Sequence, residues 1–173
     1  MNIHLVTTGG TIEKVYSEQS GQVENVANKI DRYLKLLRLP DAQIDVTPVM
    51  NKDSLEMTDE DREQVLAAVR ELVKDAPVVI THGTDTMVQT GQLLKRHLLF
   101  SEGMGGLAFP VVMTGAMTPL GFERSDGLQN LTEALFAART LGPGVWIVIH
   151  GQVFDVDNAR KDRETARFTD LRV

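Results

Sequence analysis

Four side chains suited to covalent chemistry, Thr11, Thr84, Asp85 and Lys161, each lie just beyond a short apolar run. Thr11 closes "TTGGT" (7–11), Thr84 and Asp85 lie in "THGTDT" (81–86), and Lys161 ends "HGQVFDVDNARK" (150–161). A threonine hydroxyl is a weak nucleophile until a base takes its proton, and a lysine oriented by a carboxylate can be that base. Glycines such as Gly9 and Gly10 let backbone N–H groups approach a ligand closely. Such N–H groups can hold a developing oxyanion, a large term in acyl transfer. The parts are those of an activated hydroxyl nucleophile.

Each fragment also has a plainer reading. Threonine and glycine at strand ends are common turn formers. Thr84 could cap a helix whose first turn Asp85 favours. Lys161, in a charged stretch, reads as a solvated side chain. His4, His82, His97 and His150 show no metal-ligand spacing, so they read as structural and no metal site is expected. Met57, Met87, Met104, Met113 and Met117 read as core filler. A phosphate-binding loop is the sharper rival for "TTGGTIEK" (7–14). It needs a closing Lys-Ser/Thr pair, or a third glycine and an immediate helix, and neither is present. The chain runs on through "VYSEQSGQ" (15–22), a polar stretch more like a lid.

The elements that must position these residues alternate. Strands are expected at "IHLVT" (3–7), "QIDVTPV" (43–49), "PVVIT" (77–81), "FPVVMTG" (109–115) and "GVWIVIHG" (144–151). Helices are expected over 28–39, with Ile30, Tyr33, Leu34 and Leu37 on one face, and over 58–76, capped by Thr58. Two more are expected over 85–100 and 125–140. The glycine-rich segment 100–109 reads as a connecting loop. Apolar strands separated by helices predict an α/β fold: a doubly wound, mostly parallel sheet with helices on both faces, in a single domain spanning 1–173. The charged segment 155–173 is expected to be a peripheral tail. Ligands of such sheets bind beyond the carboxyl ends of the strands. That edge gathers Thr11, Thr84 and Asp85, and also Lys161 if the last segment folds back.

The totals narrow the function. The net charge of -6 over 173 residues argues against a nucleic-acid partner and against a polybasic membrane-surface role. There are no cysteines, which excludes disulfides and thiolate chemistry and fits a reducing cytoplasm. No apolar run approaches the roughly 20 residues of a membrane span. The N-terminal segment lacks the basic and apolar regions of a signal peptide.

Six blocks then resemble one family. "TTGGTI" (7–12), "DSLEMT" (53–58), "THGTDTM" (81–87), "TGAMTP" (114–119), "SDGLQNL" (125–131) and "VFDVDNARK" (153–161) are similar, in order, to those of the bacterial-type L-asparaginases. The resemblance implies hydrolysis of L-asparagine, with L-glutamine a second substrate of some members, and no cofactor. It implies that Thr11 is the nucleophile that forms a β-aspartyl enzyme, and that Tyr16 on the lid helps activate it. It implies that Thr84, Asp85 and Lys161 handle protons and water. Ser54 and Asp85 would hold the substrate's α-carboxylate and α-amino groups, with the backbone of Gly10, Gly83, Thr84 and Ala116 lining the pocket. The family's second domain has no counterpart here, nor does the carboxylate that a partner's second domain contributes to each site. Leu55 follows Ser54 where many relatives carry a polar residue. A homo-oligomer whose copies shield the site is expected, with an asparagine sensor or inactive relative as the alternative reading.

Overall fold

The computed structural model describes residues 1–25, 29–99 and 106–172. The chain begins with β1 (Asn2–Gly9), a short hairpin of β2 (Val15–Tyr16) and β3 (Val23–Glu24), and α1 (Ile30–Leu34). β4 (Gln43–Lys52), α2 (Asp59–Leu72), β5 (Val78–Thr81), α3 (Met87–Leu99) and β6 (Pro110–Thr114) follow. α4 (Gly127–Thr140), β7 (Gly144–Ile149), β8 (Gln152–Asp155), β9 (Ala159–Asp162) and β10 (Arg167–Asp170) complete the order.

Six strands form one sheet in the order β4-β1-β5-β6-β7-β8. All neighbours are parallel except β7 and β8. Successive side chains of a strand point to opposite faces, and the burial follows. Val78 and Ile80 of β5, with Val111 and Met113 of β6, pack under Val65, Leu66 and Val69 of α2 and Leu94 and Leu98 of α3. Val79 and Val112 face the other way, toward Leu131, Ala134 and Leu135 of α4 and Ile30 of α1. Helices therefore cover both faces, and the strands between them are apolar on both sides. From β1 the chain goes first to β4 on one side, then crosses to β5 on the other. That reversal opens a crevice between the carboxyl ends of β1 and β5.

α2 begins where the sequence places it. The Thr58 hydroxyl accepts from the Asp61 N–H and the Asp61 carboxylate accepts from the Thr58 N–H, a reciprocal cap. α1 is shorter than the expected helix over 28–39, whose first residue lies outside the described residues. After Leu34 the hydrogen bonds tighten to an i→i+3 pattern, Leu36 N–H to Tyr33 O (3.0 Å) and Leu37 N–H to Leu34 O (3.1 Å). Pro40 disfavours helical geometry at Leu39, so no later turn props this segment up. Residues 100–105 of the expected glycine-rich loop, Met104 among them, lie outside the described residues, as does Val173.

The charged C-terminal segment is folded where it is described. β8 adds an antiparallel edge to β7, and β9 and β10 pair as a separate hairpin. Phe154, Val156, Ala159 and Phe168 are buried, while Val153 and Leu171 stay exposed. The rings of Phe154 and Phe168 lie 6.3 Å apart. The Lys95 ammonium bonds Asp155 and Asp157, each at 2.7 Å, and so ties the segment to α3. The hairpin is thus anchored by one buried aromatic pair and one charge cluster. Phe168→Ala should lower the free energy of unfolding in urea by about 3 kcal/mol, against about 1 kcal/mol for the cap variant Thr58→Ala.

Candidate functional site

Beyond the carboxyl ends of β1 and β5 two glycine backbones meet at the base of the crevice. Gly9 and Gly10 have φ of 94° and 77°, conformations that L side chains rarely adopt. A Cβ on Gly10 would strike the backbone of Gly83, and a Cβ on Gly83 would lie 2.5 Å from Ser54 Oγ. The turn after β1 therefore rests directly on the backbone of the loop after β5, and that loop rests on the Ser54 side chain of the single 3₁₀ turn Ser54–Glu56 after β4. Thr11, partly buried, opens the 3₁₀ turn Thr11–Glu13 on the far side of Gly10. Asn25, just after the β2–β3 hairpin, donates to Gly10 O at 3.0 Å and to Asn51 Oδ1 at 2.9 Å. That hairpin is thereby tied to the turn that carries Thr11.

The hairpin of β9 and β10 brings in the lysine. Lys161 Nζ donates to Thr84 Oγ1 at 2.7 Å and to Asp85 Oδ1 at 3.1 Å. Thr84 is buried, and its hydroxyl lies 3.8 Å from the thioether Sδ of Met117, in the loop after β6. The adjacent pair Thr84 and Asp85 and the distant Lys161 thus form one hydrogen-bonded group. It can hold a proton at a hydroxyl beside a cation and a carboxylate. Ala116 is buried in the same loop as Met117, directly after Gly115, where a Cβ would meet His82 O and Thr84 Cγ2.

Ser54 is 1% exposed, and its hydroxyl has no hydrogen-bond partner among the described residues. Buried polar groups are nearly always paired, so an orphaned hydroxyl beside a crevice calls for a ligand or water. Tyr16 stands apart from this burial: it is 58% exposed on β2.

Polar supports hold the loops from behind. Asp126 accepts from the Met117 and Thr118 N–H groups, from Asn130 Nδ2 and from His150 Nε2 at 2.7–3.1 Å. Burial pushes the Asp126 carboxyl up, but these hydrogen bonds outweigh it and hold the group below its ordinary value. His82 is fully buried and pushed down to about 4, chiefly by burial, so it is neutral at physiological pH. Because Gly83 O can only accept, His82 Nδ1 carries the hydrogen, and Nε2 accepts from the Thr90 hydroxyl.

The Asparaginase, N-terminal family model matches residues 2–169. The chain belongs to this family. Among curated relatives, the L-asparaginase of Thermococcus kodakarensis is 31% identical over 154 residues, covering 88% of this chain and 45% of that protein. L-asparaginase 1 of Escherichia coli K12 is 38% identical over 145 residues, covering 79% and 40%. The solved thermostable L-asparaginase of T. kodakarensis superposes with a TM-score of 0.84 at 29% identity, over 98% of this chain and 51% of that one. This asparaginase N-terminal domain chain therefore spans about half, or less, of the length of the relatives it matches.

Sequence reasoning missed two features of the asparaginase-type site. One is the ion pair of Lys14 with Asp53 at 2.5 Å, beside Ser54. The other is Glu13, two residues from Thr11 and only 3% exposed, with neither carboxyl oxygen hydrogen-bonded among the described residues. Burial pushes the Glu13 carboxyl up to about 7; the nearby Thr81 hydroxyl and Gly9 backbone offset part of that rise without making a hydrogen bond to it. In the sequence, an acid between Ile12 and Lys14 looks like an ordinary surface charge. A raised folded-state value means that Glu13's contribution to stability is complete below about pH 4.5 and is lost as pH rises through 7. Glu13→Gln removes that loss. Its stability relative to the parent, measured by urea unfolding at pH 4 and pH 8, should rise by about 3 kcal/mol between the two.

Proposed function

We propose that this chain hydrolyses the side-chain amide of L-asparagine to L-aspartate and ammonia, through an ester on Thr11. The observation that carries the reading is the hydrogen-bonded group of Thr84, Asp85 and Lys161 beside the Gly10–Gly83 contact, on a chain of this family. The Thr11 oxygen attacks the amide carbonyl while its proton passes toward the leaving nitrogen. Collapse of the tetrahedral species breaks the C–N bond and releases ammonia, leaving a β-aspartyl ester. Water then adds to the ester, and its proton returns to Thr11 as L-aspartate departs. Splitting one difficult hydrolysis into two acyl transfers is what a covalent nucleophile supplies.

In this reading Lys161 and Thr84 relay protons, and Tyr16 closes over Thr11 from the hairpin lid. The orphaned Ser54 hydroxyl takes the α-carboxylate and Asp85 the α-ammonium. Backbone groups of Gly10, Gly83, Thr84 and Ala116 line the crevice. The reading uses no metal or cofactor. L-Glutamine, one methylene longer, is the second substrate to test. Self-association of copies and a cytoplasmic site of action belong to the same reading. The exposed apolar side chains of Leu36 and Phe136 support the first and the cysteine-free sequence the second.

The experiment is ammonia release from L-asparagine by the purified chain. Thr11→Ala should reduce kcat/KM by about 1,000-fold or more with the fold retained by circular dichroism; activity kept in that variant means another nucleophile. Lys161→Ala should lower kcat far more than it raises KM, because a proton relay acts in the transition state. Equal losses in the two would assign Lys161 to binding. Asparagine binding without turnover in the parent chain would point to a sensor.

A further inference from the structure

Lys161 lies in β9, and Arg163 is the first residue beyond the end of that strand. Both reach the same oxygen: Asp85 Oδ1 lies 3.1 Å from Lys161 Nζ and 3.4 Å from Arg163 Nη2. The turn that follows is held by Asp162, whose carboxylate accepts from the Glu164 N–H (3.0 Å) and the Thr165 hydroxyl (2.7 Å). Arg163 therefore starts from a fixed backbone, although its side chain is 70% exposed. On the other side of the crevice Lys14 pairs with Asp53. Lys161 is close enough to act on Asp53 as well, which places both carboxylates in one electrostatic neighbourhood.

The charge balance of this rim is unusual for a site that must welcome an ammonium. Among the described residues, three cations, Lys14, Lys161 and Arg163, face two carboxylates, Asp53 and Asp85. Asp85 already shares its charge with two of the cations. An approaching α-ammonium gains less from such a carboxylate than from a free one, because the neighbouring cations repel it. A carboxylate, by contrast, gains from the guanidinium, which has five N–H donors and stands 3.4 Å from Asp85 as an ion pair.

We propose that Arg163 is a specificity-determining residue. It offsets Asp85 so that the site accepts ω-monoamides of dicarboxylic acids that lack an α-ammonium, succinamate being the simplest, alongside L-asparagine. The proposal rests on the reading that Asp85 faces the substrate's α-ammonium.

The test separates binding from turnover. Calorimetry measures the affinity of the chain for succinate and for L-aspartate, which differ only in the ammonium. In the parent chain the two affinities should lie within about tenfold of each other. Arg163→Met keeps most of the stem and removes the charge. It should move the ratio about fivefold toward aspartate, the upper range for an exposed ion pair. Arg163→Lys should stay near the parent, and raised salt should shrink the effect of Arg163→Met. Ammonia release from succinamate and L-asparagine should follow the same ratio. An unmoved ratio in Arg163→Met, or no binding of either acid to the parent, overturns the proposal. If neither amide is hydrolysed while the ratio shifts as expected, the hydrolase reading fails and the role of Arg163 stands.

Discussion

The crevice exists because two backbones touch. Gly10 and Gly83 meet with no room for a Cβ on either, and Gly83 in turn rests on Ser54. Any side chain at Gly10 would push the turn after β1 away from β5, and Thr11 would move with it. The positive φ at Gly9 and Gly10 aims the chain out of the sheet before the 3₁₀ turn begins. Everything polar at this edge is arranged around that contact. The sheet supplies it by placing β1 and β5 side by side, and the reversal of strand order leaves their ends open to a ligand.

The second support comes from far along the chain. Lys161 reaches Thr84 and Asp85 across 77 and 76 residues of sequence. It does so because β8 turns back along β7 and delivers the β9–β10 hairpin to the same edge. Val156 fills the space over Gly91 of α3, and Lys95 on that helix clamps Asp155 and Asp157. A helix on one face of the sheet thereby sets the height at which the lysine enters the crevice. The hydrogen bonds around Asp126 do the corresponding work for the loop after β6.

Much of this was legible in the sequence. The period-two and unbroken apolar runs marked the strands, and Thr58 with its acidic first turn marked the start of α2. The threonines, the aspartate and the lysine stood out because each followed a strand. What was not legible depends on packing in three dimensions. The expected helix over 28–39 shrank to α1 because its apolar spacing was real while its length could not sustain regular hydrogen bonds before Pro40. The segment 155–173 was expected as a peripheral tail; its described part pairs β9 with β10, with Val156, Ala159 and Phe168 buried in the core, a packing that its charged sequence does not announce. Glu13 and Arg163 carried no pattern at all. One is defined by the water it lost and the other by the carboxylate it met.

β4 ends the sheet on one side, and its middle holds Pro48, paired in register with Thr7 of β1. A proline nitrogen carries no hydrogen, so the open flank of this strand lacks a donor where a foreign strand would need one. Asp45, exposed earlier on the same strand, adds a charge to the same rim. A flat, fully donating edge would template the addition of further chains. This edge refuses them, so copies of the protein do not zip together through β4.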